Sequence, residues 1–325
     1  MEDINARILQ QGFGMKLLSS FRTRTGLVCK TDKGLFELKK TFSDDVSLEM
    51  EYALRQYMLS RGFDGLDTAY RTTEDMPCYR MDDSAYVLIE YCSSARMDIE
   101  NEDDLKEMSE TLALFHNAAE GFDDGRIRST CGMAEEFLEK RTGEFTRIRR
   151  RIKNFRDYTP VDLMIIKYYD MYMERINMAG ELLEKADFRC AAESADKKHS
   201  VCHNAFKNDN VRKTEDKKVI VSGLYECTVD VSITDVAHLI RRYIKTENAD
   251  EKGIEEIIEN YRKIRGVSDN DLTIIKGLIV YPYKFLKLCN SHYNKRRVCI
   301  SAAAVERFEN CVANFKKELY LADSI

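Results

Sequence analysis

The stretch VCHNAFKNDN, residues 201–210, decides the fold. It begins with two apolar residues, Val201 and Cys202, and sets His203 and Asn210 seven positions apart. A short polar segment leads on to KVIV (218–221), a β-branched run suited to a strand, and then to Ser222, Gly223 and Leu224. Helical periodicity dominates on both sides, so the segment reads as a small strand-and-loop insert at one edge of a helical domain.

Toward the N-terminus the pattern changes. LVCK (27–30) and LFELKK (35–40) flank the turn TDKG, in which Gly34 supplies the positive φ of a β-hairpin. SLEMEYALRQYMLSRGF (47–63) carries Leu48, Tyr52, Met58 and Leu59 on helical spacing and stops at Gly62, and YVLIEY (86–91) reads as a short buried strand. Beyond residue 103 the chain is helical. From Pro160, well placed in a first turn, Leu163, Ile166, Tyr169, Met173, Ile176 and Leu183 predict a long helix, and further helices are predicted near 232–245, 252–264, 270–290 and 302–321. The expected class is α+β. The order strand, strand, helix, strand before a helical remainder resembles that of a two-lobed, protein-kinase-like fold, which implies a small β-rich N-lobe at 1–92 and a large, mostly helical C-lobe at 93–325 that carries segment 201–224.

Composition narrows the function classes. At 325 residues, 44% hydrophobic and 33% charged, the chain has the make-up of a globular protein with two cores. Its net charge of −5 disfavours a nucleic-acid binder. No apolar run reaches the length of a membrane span and MEDINARILQ has no signal-peptide pattern, which predicts a cytoplasmic protein with no membrane partner. Ten cysteines without a CxxC pair read as buried hydrophobes in a reducing compartment. His199 and His203 are too few ligands for structural zinc, and RIRRRIKNFR (147–156) reads as a solvated helix face or, alternatively, a surface for an acidic partner.

Phosphoryl transfer requires a lysine on the nucleotide phosphates, carboxylate and amide ligands for Mg²⁺, and a base or orienting carboxylate for the acceptor. Segment 201–224 resembles the catalytic loop of small-molecule kinases of the aminoglycoside and choline kinase type, where the run reads His-Gly-Asp, four residues, Asn, with a metal-binding Asp after the next strand. His203 and Asn210 keep this frame, whereas Asn204 replaces the Gly and Ala205 and Ser222 stand at the two Asp positions; Leu224 departs as well. No catalytic carboxylate is intact, and Mg²⁺ prefers charged oxygen ligands. The resemblance implies that Lys39 meets the phosphates with Glu51 or Glu49 as its partner. It also implies that the backbone at Glu90, Tyr91 and Cys92 meets an adenine, and that Asn210 offers a metal amide. His203 and Asp235 would support the loop. FRTRTG (21–26) lacks GxGxxG and reads either as a phosphate cover or as a basic surface turn. Asp209, Glu226 and Asp230 are the nearby acids that a shifted site would use.

The order of TDKGLFELKK (31–40), YVLIEY, DLKEMSETLALFHNAAEGF (104–122), VCHNAFKNDN, ITDVAHLIRRYIK (233–245) and YPYKFLKLCNSHYNKRR (281–297) resembles the CotS-type spore-coat proteins, kinase-like relatives of the aminoglycoside phosphotransferases. That resemblance implies synthesis in the mother-cell cytoplasm, a place in the spore coat, and other coat proteins as partners. Three readings stay open. The first is a pseudokinase scaffold, with or without ATP binding through Lys39 and with Mg²⁺ binding in doubt. The second is an atypical ATP-dependent small-molecule or saccharide phosphotransferase built on Asp209 or Glu226. The third is a module that binds a peptide or sugar in the old acceptor cleft.

Overall fold

The computed structural model describes residues 4–23, 26–131, 133–294 and 301–325. The chain divides into two compact units, both discontinuous: residues 1–98, 114–128 and 203–228 form the first, and 99–113, 129–202 and 229–325 the second.

The first unit is built on a six-stranded antiparallel sheet of order β1-β2-β3-β6-β4, with β5 also paired to β6. Helix α1 (Ile4–Phe13), which the sequence reading did not anticipate, precedes β1 (Leu17–Arg22), β2 (Leu27–Thr31) and β3 (Gly34–Thr41). The predicted β2–β3 hairpin forms with Thr31 opposite Gly34, whose φ is +139°. Helix α2 (Asp45–Ser60) follows, capped by Asp44 through a 2.7 Å bond from the Ser47 N–H. Next come β4 (Ala69–Tyr70), β5 (Tyr79–Met81), β6 (Ser84–Glu90) and β7 (Ser94–Arg96). Alternation along β3 sends Phe36 and Leu38 to one face, where they pack with Ile8, Leu9 and Phe13 of α1, and Leu88 of β6. Each such buried side chain stabilises the fold by about 1.5–3 kcal/mol. On α2, Leu54 and Met58 are fully buried, but Leu59 of the predicted stripe is 45% exposed.

After β8 (Val201–Cys202), which lies at the end of the second unit's segment, the chain returns for β9 (Val211–Thr214) and β10 (Val219–Val221). β9 pairs with both β10 and β7, and the Val221 N–H donates to the Gly65 carbonyl at 2.8 Å. These ladder bonds group segment 203–228 with the N-terminal sheet, where the sequence reading had placed it in a C-terminal lobe beginning at 93.

The second unit is helical apart from β8 and β11 (Thr228–Val229), a two-stranded sheet of their own. Helix α3 (Glu102–Ala119) passes through both units and is followed by α4 (Met133–Ile152), α5 (Pro160–Lys185) and α6 (Phe188–Lys197). A capping box of Thr159 and Asp162 starts α5, with Pro160 in its first turn. The buried stripe of α5 is Val161, Ile165, Tyr169, Tyr172, Ile176, Ala179 and Leu183, whereas Leu163 is 53% exposed. The sequence VDLMIIKYYDMYM is apolar nearly all round, so periodicity alone did not single out the buried face. Then come α7 (Ile233–Tyr243) and α8 (Glu251–Arg262). The helix predicted over 270–290 is two, α9 (Asp269–Val280) and α10 (Tyr283–Asn294), because Pro282 bars the helical conformation from Tyr281, which sits at ψ 122°. The one predicted over 302–321 is likewise α11 (Ala302–Ala313) and α12 (Phe315–Ala322). The centre is aromatic: Tyr172 stacks on Phe285 at 3.7 Å, Phe145 on Tyr169 at 4.8 Å, and Phe308 meets Phe285 edge-on.

Arg149 of the basic stretch lies 3.9 Å over the Tyr169 ring, and Ile148 and Ile152 are buried, so this is one face of a packed helix. Cys29, Cys78, Cys202, Cys227, Cys289 and Cys311 are buried; Cys92 and Cys190 are exposed, and Cys299 lies outside the described residues.

Candidate functional site

The same β3 alternation that buries Phe36 and Leu38 sends Glu37 and Lys39 to the opposite face. There the Lys39 ammonium lies 3.1 Å from the Glu37 carboxylate. Glu37 is 6% exposed and also accepts a bond from the Thr23 hydroxyl at 3.2 Å. Arg24 and Thr25 lie outside the described residues, and with them the reading of FRTRTG as a phosphate cover.

Neither α2 glutamate is the partner of Lys39. Glu51 binds Arg55 one helical turn on, at 2.6 Å, and Arg55 reaches Asp67 at 2.8 Å. Arg55 is 5% exposed; burial alone pulls its pKa down, but the two carboxylates outweigh that and hold it above the usual range. Glu49 takes a bidentate pair from Arg71 at 2.7 and 2.9 Å, and these bonds hold its carboxyl below the ordinary 4.5 against the opposing pull of burial. A carboxyl lowered in this way contributes stability above its unfolded pKa and loses it as pH falls through the folded value. We therefore expect Arg71→Met to cost stability at neutral pH. The gap to wild type should narrow as pH drops below about 4.5 in urea titrations run across pH. A gap that stays constant down to pH 2 would count against the Arg71–Glu49 pair as its source.

The catalytic-loop-like segment is tightly knit. His203 is fully buried, with the Phe115 and Phe206 rings at 5.2 and 5.7 Å. Its Nδ1 accepts the Ala205 N–H at 3.2 Å, so Nε2 carries the proton and donates to the Ser222 carbonyl at 3.1 Å. Asn204 has φ +59°, a conformation that Asn tolerates in place of Gly, and its amide donates to the Glu226 carbonyl and the Thr228 hydroxyl, both at 2.9 Å. The Asn210 amide donates to the Ala205 carbonyl at 2.9 Å, and the Ser222 N–H donates to the Asn210 carbonyl at 2.9 Å. Gly223 has φ +84°, and a Cβ there would stand 2.7 Å from the Asn210 amide nitrogen, so nothing larger fits.

These pieces surround a cavity of about 500 Å³ whose walls include Lys39, Glu51, Arg55, Asp67, Asn210 and Ser222. Four of the expected positions thus come together: Lys39, Glu51, Asn210 and Ser222. Ala205 reaches the cavity only through its bond to Asn210. Glu90 and Cys92 lie outside the walls; the Glu90 N–H donates to the Thr68 carbonyl and the Tyr91 N–H to the Leu35 carbonyl, leaving neither for an adenine. Asp209 is turned to Arg96 at 2.6 Å, and the exposed Glu226 also lies outside, with Tyr225 lining the cavity instead. Asp235 is buried in the first turn of α7, and Asp230 accepts from the Thr130 hydroxyl at 2.7 Å with its pKa raised by burial; both belong to the second unit. Arg55 and Asp67 were not anticipated, although the four-residue step from Glu51 to Arg55 was a readable signal.

The donor set does not fit Mg²⁺. The two carboxylates in the wall, Glu51 and Asp67, are both bound to Arg55, and the remaining oxygens at the expected metal positions are a neutral amide on Asn210 and a hydroxyl on Ser222. Among the described residues, two lysines of the walls are placed to meet an anion: Lys39, by exchanging Glu37 for it, and Lys40, which pairs with no carboxylate and lies over the Phe42 ring.

The family match covers residues 6–323 and is described as the spore coat putative kinase YutH family. The chain belongs to this family. No curated protein matches it. Solved structures share its fold at low identity. An aminoglycoside phosphotransferase from Alicyclobacillus acidocaldarius has a TM-score of 0.87 at 15% identity, covering 100% of this chain and 96% of that one. A spectinomycin phosphotransferase solved with ADP and spectinomycin has a TM-score of 0.66 at 12% identity, covering 99% and 98%. Amicoumacin kinase hAmiN, solved with AMP-PNP and Ca²⁺, has a TM-score of 0.59 at 13% identity, covering 98% and 93%. The fold is therefore the aminoglycoside-phosphotransferase-like kinase fold expected from the sequence, in a family associated with the spore coat. Among the described residues no helix is long and apolar enough to cross a membrane.

Proposed function

We propose that the protein is a spore-coat pseudokinase: a structural or scaffolding component, made in the mother cell and assembled with other coat proteins, that does not transfer phosphate. The observation that carries this reading is the state of the charges around the cavity. Ala205 and Ser222 stand where the reaction needs carboxylates, and both carboxylates in the wall are neutralised by the buried Arg55. A missing base typically costs 10²–10⁴ in rate, and loss of the metal ligand adds to that. Incubation with Mg·ATP and coat saccharides, coat proteins or aminoglycosides should give no phosphate transfer above a no-protein control. Transfer that Lys39→Ala abolishes would overturn the proposal.

A second reading, binding of nucleotide without turnover, is favoured by the meeting of Lys39, Asn210 and Ser222 in one cavity. In this reading ATP replaces the Glu37 carboxylate on Lys39, and the metal plays no part.

A further inference from the structure

We propose that the second unit contains a binding site for a small tetrahedral oxyanion of the size of orthophosphate, among α5, α7, α10 and α12. This inference is independent of the Lys39 cavity, which lies in the first unit.

Four cations, Arg175, Arg241, Lys245 and Lys284, line one pocket whose single carboxylate among the described residues is Glu318. Arg175 is 3% exposed; its guanidinium donates to the Ile279 carbonyl at 3.0 Å, to the Val280 carbonyl, and to Glu318 at 2.7 Å. Arg241 donates to the Leu278 carbonyl. Two arginines on the last carbonyls of α9 are explained by helix capping, since that end carries a partial negative charge. The lysines are not. Lys245 and Lys284 have no hydrogen bond or ion pair among the described residues, and they add two charges to a pocket that already holds two guanidinium groups against one carboxylate.

Tyr172 supplies an independent observation. It is 1% exposed, its ring is stacked at 3.7 Å on Phe285 and braced edge-on by Phe315, and it lines the same pocket. Its hydroxyl is buried and has no hydrogen-bond partner among the described residues. An unpaired buried hydroxyl is costly, and a pocket ligand with acceptor oxygens would satisfy it. The packing fixes where that O–H stands, so the missing acceptor belongs in the pocket. The charges agree: burial chiefly, with Arg175 adding and Glu318 opposing, pushes Arg241 down to about 10, and partial desolvation with Arg241 and Lys284 pushes the Lys245 ammonium down. A bound anion would reverse both displacements.

Size selects the ligand. The pocket offers about 40 Å³. One water needs roughly 10–15 Å³ of such space, so there is room for about three waters or one small oxyanion, and none for a nucleotide or a sugar. Guanidinium forks, two ammonium groups and a hydroxyl donor match the lone pairs of a tetrahedral oxyanion.

The test is titration of the full-length protein with inorganic phosphate at ionic strength held constant with sodium chloride, followed by calorimetry and by ³¹P line broadening. Saturable binding is expected. Lys245→Gln with Lys284→Gln, both on exposed side chains, should weaken it by about tenfold or more, as loss of two charge-assisted contacts implies. Tyr172→Phe should weaken it by a smaller factor, and Lys39→Met should leave it unchanged. Absence of saturable binding, binding indifferent to the double substitution, or binding lost in Lys39→Met would overturn the site. None of those outcomes bears on whether the protein transfers phosphate.

Discussion

Arg55→Met is expected to lower the stability of the first unit by about 3–5 kcal/mol, the range found when one partner of a buried charged cluster is removed. Among the described residues Arg55 is the one cation that holds Glu51 and Asp67, at 2.6 and 2.8 Å, and its Nε also donates to the Asp67 backbone carbonyl at 3.2 Å. Met matches its stem in length, so the loss comes from two stranded carboxylates rather than from a void. Adding Glu51→Gln and Asp67→Asn to Arg55→Met should therefore recover most of the deficit, since the penalty of unpaired buried charge is then gone. Urea denaturation, with hydrogen exchange at α2 to assign the loss, measures both variants. A loss below about 1 kcal/mol in the single variant, a value typical of exposed pairs, would mean that the cluster is solvated and does not hold α2 in place.

The elements legible in the sequence were those governed by local chemistry. The TDKG turn set the β2–β3 hairpin, Pro160 set the start of α5, and KVIV gave β10. Failures came where local signals were silent or in conflict. Pro282 split a predicted helix although the flanking residues keep helical spacing. α5 buries Tyr169, Ile176 and Leu183 of the predicted stripe but leaves Leu163 exposed, because its first half is apolar on every side. α1 escaped notice because Ile8, Leu9 and Phe13 make only two short turns, and their role appears only once a sheet face needs covering.

The site divides in the same way. The resemblance to small-molecule kinases pointed to Lys39, Asn210 and Ser222, and these line one cavity. It misassigned the partner of Lys39 because the glutamates of α2 look available until Arg55 and Arg71 are seen to hold them. Glu37 was readable: residues two apart on a strand share a face, so Glu37 and Lys39 were bound to meet. Asp67 was not readable, because it comes from a loop with no motif. Nor was the cation cluster of the second unit, whose arginines and lysines are drawn from segments spread between residues 175 and 284.

If the absent carboxylates and the captured lysine are what silence the cavity, restoring all three should restore turnover, and restoring fewer should not. Ser222→Asp places a carboxylate in the wall beside Asn210, the carboxylate-and-amide pair that a hard divalent cation takes. Ala205→Asp returns the orienting acid two residues after His203. Neither change frees Lys39, which stays 3.1 Å from a carboxylate that is itself 6% exposed and bonded to Thr23. We expect Ala205→Asp with Ser222→Asp to remain as inactive as wild type. The same pair with Glu37→Ala should show Mg²⁺-dependent ATP hydrolysis about 10²-fold above wild type, the low end of what a positioned acid contributes. Adding Lys39→Met should abolish that gain. Water serves as the acceptor in this experiment, so the natural acceptor need not be known. Equal activity in the double and triple variants would show that Glu37 does not block the lysine. No activity in the triple variant would place the obstacle at the end of β6, where the N–H groups of Glu90 and Tyr91 are already bonded to the Thr68 and Leu35 carbonyls.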